Sequence, residues 1–134
     1  MRPRIEPAAS ARRTALIIDD SAEHAAMLDE ALRSRVEVLT AGDGLDGYRL
    51  ACARRPDVIL LDVLMPVIDG WSVCRKLRAN PITAHIPIIV VTCVDPELAE
   101  PEAARLQVSQ VIYRPCSPID VWQAVASVLG LDLT

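Results

Sequence analysis

The sequence predicts an α/β fold built on one parallel sheet, and two observations support this prediction. Five short, mostly apolar segments recur along the chain, and segments with helical spacing separate them. Continuous apolar runs of this length are typical of strands that helices cover on both faces. Strands that alternate with helices form parallel sheets through right-handed crossovers. The predicted strands are residues 14–18, 36–40, 58–61, 86–91 and 108–113.

Between the strands, apolar residues recur at the three-, four- and seven-residue spacing of a helix face. The faces comprise, in chain order, Ala25, Leu28 and Leu32; Leu45, Tyr48 and Cys52; and Val121, Val125 and Val128. Residues that favour helix starts agree with this pattern. Asp20 or Ser21 is predicted to cap the first helix, Gly70 to open the third, and Ser117 with Pro118 to start the fifth.

The fourth helix has two candidate starting points. Asp95 and Pro96 form a suitable cap and first residue, but Pro101 follows five positions later, where proline breaks an established helix. The helix begins either at Pro96 or near Pro101, and the second choice leaves residues 93–100 as an irregular loop.

Composition limits the function. The chain has 134 residues, 51% of them hydrophobic, and a net charge of −4, which argues against a general nucleic-acid binder. It contains no apolar run long enough for a membrane span and no signal peptide. The four cysteines are scattered, as expected for reduced thiols, so a cytoplasmic location is predicted. We expect a disordered tail over 1–13, one domain over 14–130 and a short tail over 131–134.

Polar residues follow four of the predicted strands. Asp19 and Asp20 end the first strand, Asp62 the third, Thr92 the fourth and Arg114 the fifth. Ligands of such sheets bind at the carboxyl ends of the strands, so these side chains should lie together. Three close carboxylates repel one another, and a hard divalent cation such as Mg²⁺ offsets that repulsion. Such a cation can also bind a phosphoryl group while a carboxylate attacks its phosphorus. The pattern therefore predicts a site of Mg²⁺-assisted phosphoryl transfer.

Four stretches of sequence resemble the receiver domains of two-component response regulators, with the likeness covering residues 14–129. They are LIIDDS at 16–21, VILLDVLMPVIDG at 58–70, IPIIVVT at 86–92 and YRP at 113–115. The resemblance implies a flavodoxin-like, doubly wound sheet of strand order 2-1-3-4-5 with five helices. It also implies a single-domain signalling protein that transfers a phosphoryl group only to itself, rather than a turnover enzyme.

The resemblance assigns a role to each polar residue. Asp62 would accept the phosphoryl group from a phosphohistidine on a histidine kinase or a histidine phosphotransfer protein. Asp20 would bind Mg²⁺ directly, Asp19 through metal-bound water, and Leu64 through its backbone carbonyl. Thr92 would donate its hydroxyl to the phosphoryl group. A downstream protein target would read the phosphorylated state, and the face formed by the fourth helix, fifth strand and fifth helix is a homodimer surface in many relatives.

Two departures from the family pattern concern the fifth strand. Arg114 replaces the usual lysine, and the two cations differ in shape and hydrogen bonding. Val111 replaces the aromatic switch residue, and Tyr113 lies on the same side of the strand, where it either takes over the switch or only packs. The Arg114–Pro115 bond is expected to be cis by resemblance. An alternative reading is a pseudo-receiver, an unphosphorylated interaction module in which Arg114 fills the phosphate site.

The remaining reactive or aromatic residues are assigned ordinary roles. His24 and His85 are expected to be exposed surface histidines, and Cys93 and Cys116 to be unpaired thiols. Trp122 lies off the apolar face of the fifth helix, so it is either an exposed partner contact or a semi-buried packing residue. A flavin protein and a carboxylate-nucleophile phosphatase fit poorly, because the first strand lacks a phosphate loop and Leu64 is no general acid.

Overall fold

A computed structural model describes residues 12–65 and 69–132, and these form one five-stranded sheet. All strand pairs are parallel, and the strand order is β2-β1-β3-β4-β5, as expected from the resemblance. The strands are β1 Thr14–Ile18, β2 Glu37–Ala41, β3 Val58–Leu61, β4 Ile88–Thr92 and β5 Gln110–Tyr113. The helices are α1 Ala22–Leu32, α2 Gly44–Arg54, α3 Gly70–Ala79, α4 Pro96–Arg105 and α5 Pro118–Leu129. The doubly wound, flavodoxin-like fold is confirmed.

The core has two layers, one on each face of the sheet. Successive side chains of a strand point to opposite faces, so Ala15 and Ile17 join the layer under α1 and α5, whereas Leu16 and Ile18 join the layer under α2 and α3. Strands β1, β3 and β4 are almost wholly buried, while every residue of β5 is half-buried. The centre of the sheet is therefore the most firmly packed part of the molecule.

Strands β4 and β5 begin two residues later than the apolar runs suggested, and β2 begins and ends one residue later. The Ile86 N–H bonds to the Thr83 carbonyl, and the Val108 N–H bonds to the Ala103 carbonyl. Both residues are thus engaged in turns before the ladder of the sheet begins. Apolar character marks burial, and burial starts before strand pairing does.

Helix starts follow the predicted capping residues. Ser21, rather than Asp20, caps α1 by accepting the His24 N–H, and Ser117 forms a capping box with Asp120 at the start of α5. Gly70 is the first residue of α3, after the cap Asp69.

Helix α4 begins at Pro96 and continues through Pro101, so residues 96–100 are helical rather than part of a loop. Pro101 is exposed, while Ala99 and Ala103 on the opposite face are buried. Proline removes one backbone hydrogen bond of the helix. The burial of the apolar face of α4 outweighs that local loss.

Trp122 packs inside the molecule rather than on its surface. Only 5% of its surface is exposed, and the Arg35 guanidinium lies 4.7 Å from the ring centroid. At the chain ends, Arg12 donates to the carbonyls of Arg33 and Val36, and the Leu131 N–H binds the Ala126 carbonyl. The rest of the predicted tails, 1–11 and 133–134, lies outside the described residues. Among the described helices, none combines the length and apolar character that crossing a membrane requires.

Candidate functional site

Three carboxylates meet where β1 and β3 end. Asp19, Asp20 and Asp62 each offer an oxygen, and these oxygens lie within 4.8 Å of one another. The sheet ladder continues into the first and third of them, because Asp19 donates its N–H to Ala41 and Asp62 donates its N–H to Ile18. Asp19 and Asp62 are buried, whereas Asp20 is exposed. We call these three residues the acidic cluster.

Asp62 lies in a polar but mostly desolvated position, with 4% of its surface exposed. Its Oδ1 accepts the Leu64 N–H at 2.9 Å and lies 3.5 Å from Nη2 of Arg114. Burial raises the pKa of Asp62, and the charges of Asp19 and Asp20 raise it further, while the Leu64 N–H and Arg114 oppose the rise. The Arg114 guanidinium and the Leu64 N–H thus compensate the buried charge of the Asp62 carboxylate only in part.

Gly70 allows helix α3 to begin directly against the backbone of Asp62. A Cβ atom at this position would lie 2.5 Å from the Val63 Cα, closer than real Cβ contacts permit. The Gly70 N–H also bonds to the Val63 carbonyl at 3.2 Å. The absence of a side chain at Gly70 therefore fixes how closely α3 approaches the predicted acceptor.

Thr92 and Arg114 come from the neighbouring ends of β4 and β5. Thr92 is buried, its hydroxyl accepts the Val94 N–H at 3.1 Å, and its carbonyl accepts the Arg114 N–H at 2.8 Å. The Arg114 Nε is buried and has no hydrogen-bond partner among the described residues. The Arg114–Pro115 peptide bond is cis. The Arg114 side chain thus reaches Asp62, the predicted phosphoryl acceptor.

His24 was missed by sequence reasoning, which placed it on the exposed surface. Its side chain is only 12% exposed, and its Nδ1 contacts Oδ2 of Asp19. His24 is the third residue of α1, where a side chain can reach back towards the cap. A histidine in the first turn of the helix, five residues after Asp19, is the signal that would have found it. His85, by contrast, is exposed as expected.

The residues predicted to act as a switch make their contacts with the core and with α4. Val111 is half-buried and packs against the core layer under α2 and α3. The Tyr113 hydroxyl donates a hydrogen bond to the Glu100 carboxylate on α4. Desolvation, followed by this bond and the Glu100 charge, raises the pKa of Tyr113 to about 12. Cys93 is exposed and Cys116 half-buried, and both thiols are free.

The donor set of the acidic cluster fits a hard divalent cation. Three carboxylate oxygens at this separation match the all-oxygen ligands that Mg²⁺ prefers, and the exposed Asp20 leaves one side open to water. The raised pKa of Asp62 reports the repulsion and desolvation that a bound cation would offset. Among the described residues, no other group of acidic, histidine or cysteine side chains converges in this way.

Comparison with known proteins gives one consistent result. Residues 15–126 match the response regulator receiver domain family. The chain is 34% identical over 119 residues to response regulator PleD of Caulobacter vibrioides, covering 88% of this chain but 26% of PleD. It is 32% identical over 116 residues to protein PilH of Pseudomonas aeruginosa, covering 86% of this chain and 96% of PilH. The chain therefore spans about a quarter of PleD and nearly all of PilH.

Solved structures agree. The chemotaxis protein CheY4 of Vibrio cholerae superposes with a TM-score of 0.83 at 27% identity, covering 88% of this chain and 99% of CheY4. The fold, the strand-end carboxylates and the matching sequence family all indicate a signalling module of two-component systems. The chain belongs to the response regulator receiver domain family.

Proposed function

We propose that this receiver domain accepts a phosphoryl group on Asp62 from a phosphohistidine of a histidine kinase or a histidine phosphotransfer protein. The observation that carries this proposal is the acidic cluster itself, with Arg114 reaching Asp62 from the fifth strand. A buried carboxylate among two others is costly for folding alone, so a structural role explains it poorly.

The transfer forms one bond and breaks one. A carboxylate oxygen of Asp62 bonds to phosphorus while the P–N bond to the donor imidazole breaks, and the electron pair of that bond stays on the imidazole nitrogen. Oδ1 of Asp62 is engaged by the Leu64 N–H, so we assign the attack to Oδ2. Arg114 and the Thr92 hydroxyl would bind the phosphoryl oxygens, Arg114 through two parallel hydrogen bonds if it approaches with its fork. Catalysis then consists of positioning and charge compensation.

Asp20 and Asp62 would hold Mg²⁺ directly, with Asp19 acting through metal-bound water and the Leu64 carbonyl completing the protein ligands. When bound, the cation would neutralise part of the negative charge of the carboxylates and of the incoming phosphoryl group. The cluster also keeps Asp62 close to the carboxyl groups of Asp19 and Asp20, so we expect its reactivity to depend on that cation.

Signalling would then pass to a downstream protein in the cytoplasm rather than to nucleic acid or a membrane. The surface formed by α4, β5 and α5 is our proposed homodimer and partner face. It includes β5, where Val111 replaces the aromatic switch residue, so its response to phosphate would differ from that of relatives with an aromatic switch.

Intact mass spectrometry after incubation with Mg²⁺ and a small acyl phosphate tests the proposal. We expect a gain of one phosphoryl group in the parent and in Asp46→Asn, an exposed carboxylate on α2. No gain is expected in Asp62→Asn or after removal of Mg²⁺ by a chelator.

The absence of a gain with acyl phosphates and with a phosphohistidine donor would contradict the proposal. The pseudo-receiver alternative would then apply, with Arg114 occupying the phosphate position. An Arg114→Lys variant separates the two cases further, because a gain seen only in that variant would show that Arg114 blocks the site.

A further inference from the structure

The imidazole of His24 lies against the buried side of the acidic cluster. Its Nδ1 contacts Oδ2 of Asp19, a carboxylate whose side chain is 1% exposed. A carboxylate only accepts hydrogen bonds, so Nδ1 carries the hydrogen and donates it. The other oxygen of Asp19, Oδ1, accepts the Ser21 N–H at 2.9 Å. Both oxygens of Asp19 are therefore held, one by the backbone of the α1 cap and one by His24.

Packing alone does not account for a histidine at this position. The second ring nitrogen, Nε2, is buried and has no hydrogen-bond partner among the described residues. A buried polar atom without a partner destabilises the fold. An apolar side chain of similar size would fill the same space without that penalty. The contact with Asp19 is the interaction that such a side chain could not make.

We infer that His24 is a positioning residue for the metal site, acting through Asp19 without binding the metal. This inference rests on the proposed function, because it assumes that the acidic cluster holds Mg²⁺. The imidazole fixes the rotation of the Asp19 carboxylate, so the carboxylate faces its neighbours before the cation arrives. Outer-shell partners of a metal site typically change metal affinity by about 10- to 100-fold, and because Asp19 acts through metal-bound water we expect the lower end of that range.

Calorimetric titration with Mg²⁺ at one fixed pH tests the inference. We expect His24→Leu to weaken Mg²⁺ binding about tenfold relative to the parent. His24→Asn places an amide N–H close to the position of Nδ1, so it should bind Mg²⁺ within about threefold of the parent. His85→Leu, which removes the exposed histidine, is the matched control and should leave binding unchanged. His24→Ala replaces His24→Leu if the latter does not fold.

Thermal unfolding of each variant without metal separates positioning from a structural role. A purely structural histidine would alter the unfolding temperature of His24→Leu and leave its Mg²⁺ affinity at the parent value, and that result would overturn the inference while the proposed function stands. Equal loss of affinity in His24→Asn and His24→Leu would also overturn it. No Mg²⁺ binding in the parent would overturn the metal site and the inference together.

Discussion

The acidic cluster and the α4–β5 side of the molecule are built in different ways. The cluster lies at the ends of β1 and β3, strands that are buried on both faces and continue their hydrogen-bond ladder into Asp19 and Asp62. The α4–β5 side, by which we mean α4, β5 and residues 106–109 between them, is only half-buried. It is held by pairing of β5 with β4 on one edge only, by the buried face of α4 and by polar side-chain contacts. The position of the chemistry is thus fixed by the centre of the sheet, whereas that of the proposed partner surface depends in addition on a few polar contacts.

Arg78 makes the most extensive of these polar contacts. From α3, its guanidinium donates to the carbonyls of Leu106 and Gln107 in the α4–β5 loop and to those of Ala84 and Ile86 before β4. Five N–H donors in a fixed planar fork make arginine suited to such a convergence of carbonyls. One side chain therefore joins α3, whose first residue packs against the Asp62 backbone, to the loop that precedes β5.

Replacing Arg78 is expected to have the largest effect on stability, and it tests whether polar contacts hold the α4–β5 side. Arg78→Met keeps the volume but leaves the carbonyl groups without their donor, so we expect a loss of roughly 3 kcal/mol in the free energy of unfolding. Denaturant unfolding measures it. Arg75→Met is the control on the same helix as Arg78. It removes an exposed ion pair with Glu102 of α4 and should stay within about 0.5 kcal/mol of the parent. Equal effects of the two changes would show that the Arg78 contacts do not hold the α4–β5 side.

On the cluster side, Gly70 and Gly42 form a matched pair. A Cβ at Gly70 collides with the backbone beside Asp62, whereas one at Gly42 meets nothing within 4 Å. We expect Gly70→Ala to destabilise the fold by about 2 kcal/mol through overpacking and Gly42→Ala to have little effect. Denaturant unfolding gives both values. If Gly70→Ala leaves the free energy of unfolding unchanged, the backbone of Asp62 and Val63 can shift to accommodate the added Cβ despite its buried surroundings.

The sequence predicted the cluster side better than the α4–β5 side. Asp19, Asp20 and Asp62 follow apolar runs, and strand ends of a parallel sheet meet at one edge, so their convergence follows from the strand pattern alone. The His24 contact depends on a side-chain direction within the first turn of a helix, which periodicity does not report. The start of α4 depends on whether burial of its apolar face outweighs Pro101, and that balance exists only in the assembled fold.

Removing the charge of Asp62 tests how much that buried charge destabilises the fold without metal. Burial raises the pKa of Asp62 above its ordinary value of 3.8, so the free energy of unfolding falls as the pH rises from 3.8 to that higher pKa, and the loss is complete above it. Asp62→Asn should therefore be more stable than the parent at neutral pH in a chelator, by about 1 kcal/mol. The difference should disappear as the pH falls towards 3.8. Mg²⁺ should stabilise the parent and not the variant.

Thermal unfolding at several pH values measures these differences, with the exposed Asp46→Asn as control. A variant that is less stable than the parent at neutral pH would show that Arg114 and the Leu64 N–H overcompensate the buried charge.

The smallest expected effect concerns the bond between Tyr113 and Glu100, which ties β5 to α4. Ionising the phenol would break this bond and place two negative charges together, and both effects raise the pKa of Tyr113. Glu100→Gln removes the charge and should lower the Tyr113 pKa from about 12 partway towards 10, while stability changes by at most about 0.5 kcal/mol. Spectrophotometric titration of tyrosine measures the shift, with Glu97→Gln as the control on the same helix.

A readout at neutral pH compares the two regions directly, because Mg²⁺ precipitates and acyl phosphates hydrolyse at the alkaline pH where Tyr113 titrates. If the α4–β5 side reports the state of Asp62, incubation with Mg²⁺ and an acyl phosphate will shift the NMR signals of the Tyr113 ring in the parent and leave them unchanged in Asp62→Asn. Unchanged Tyr113 signals in a fully phosphorylated parent would show that the Tyr113–Glu100 bond is static. Phosphorylation would then have to be read from the surface next to the acidic cluster, where no aromatic switch is required.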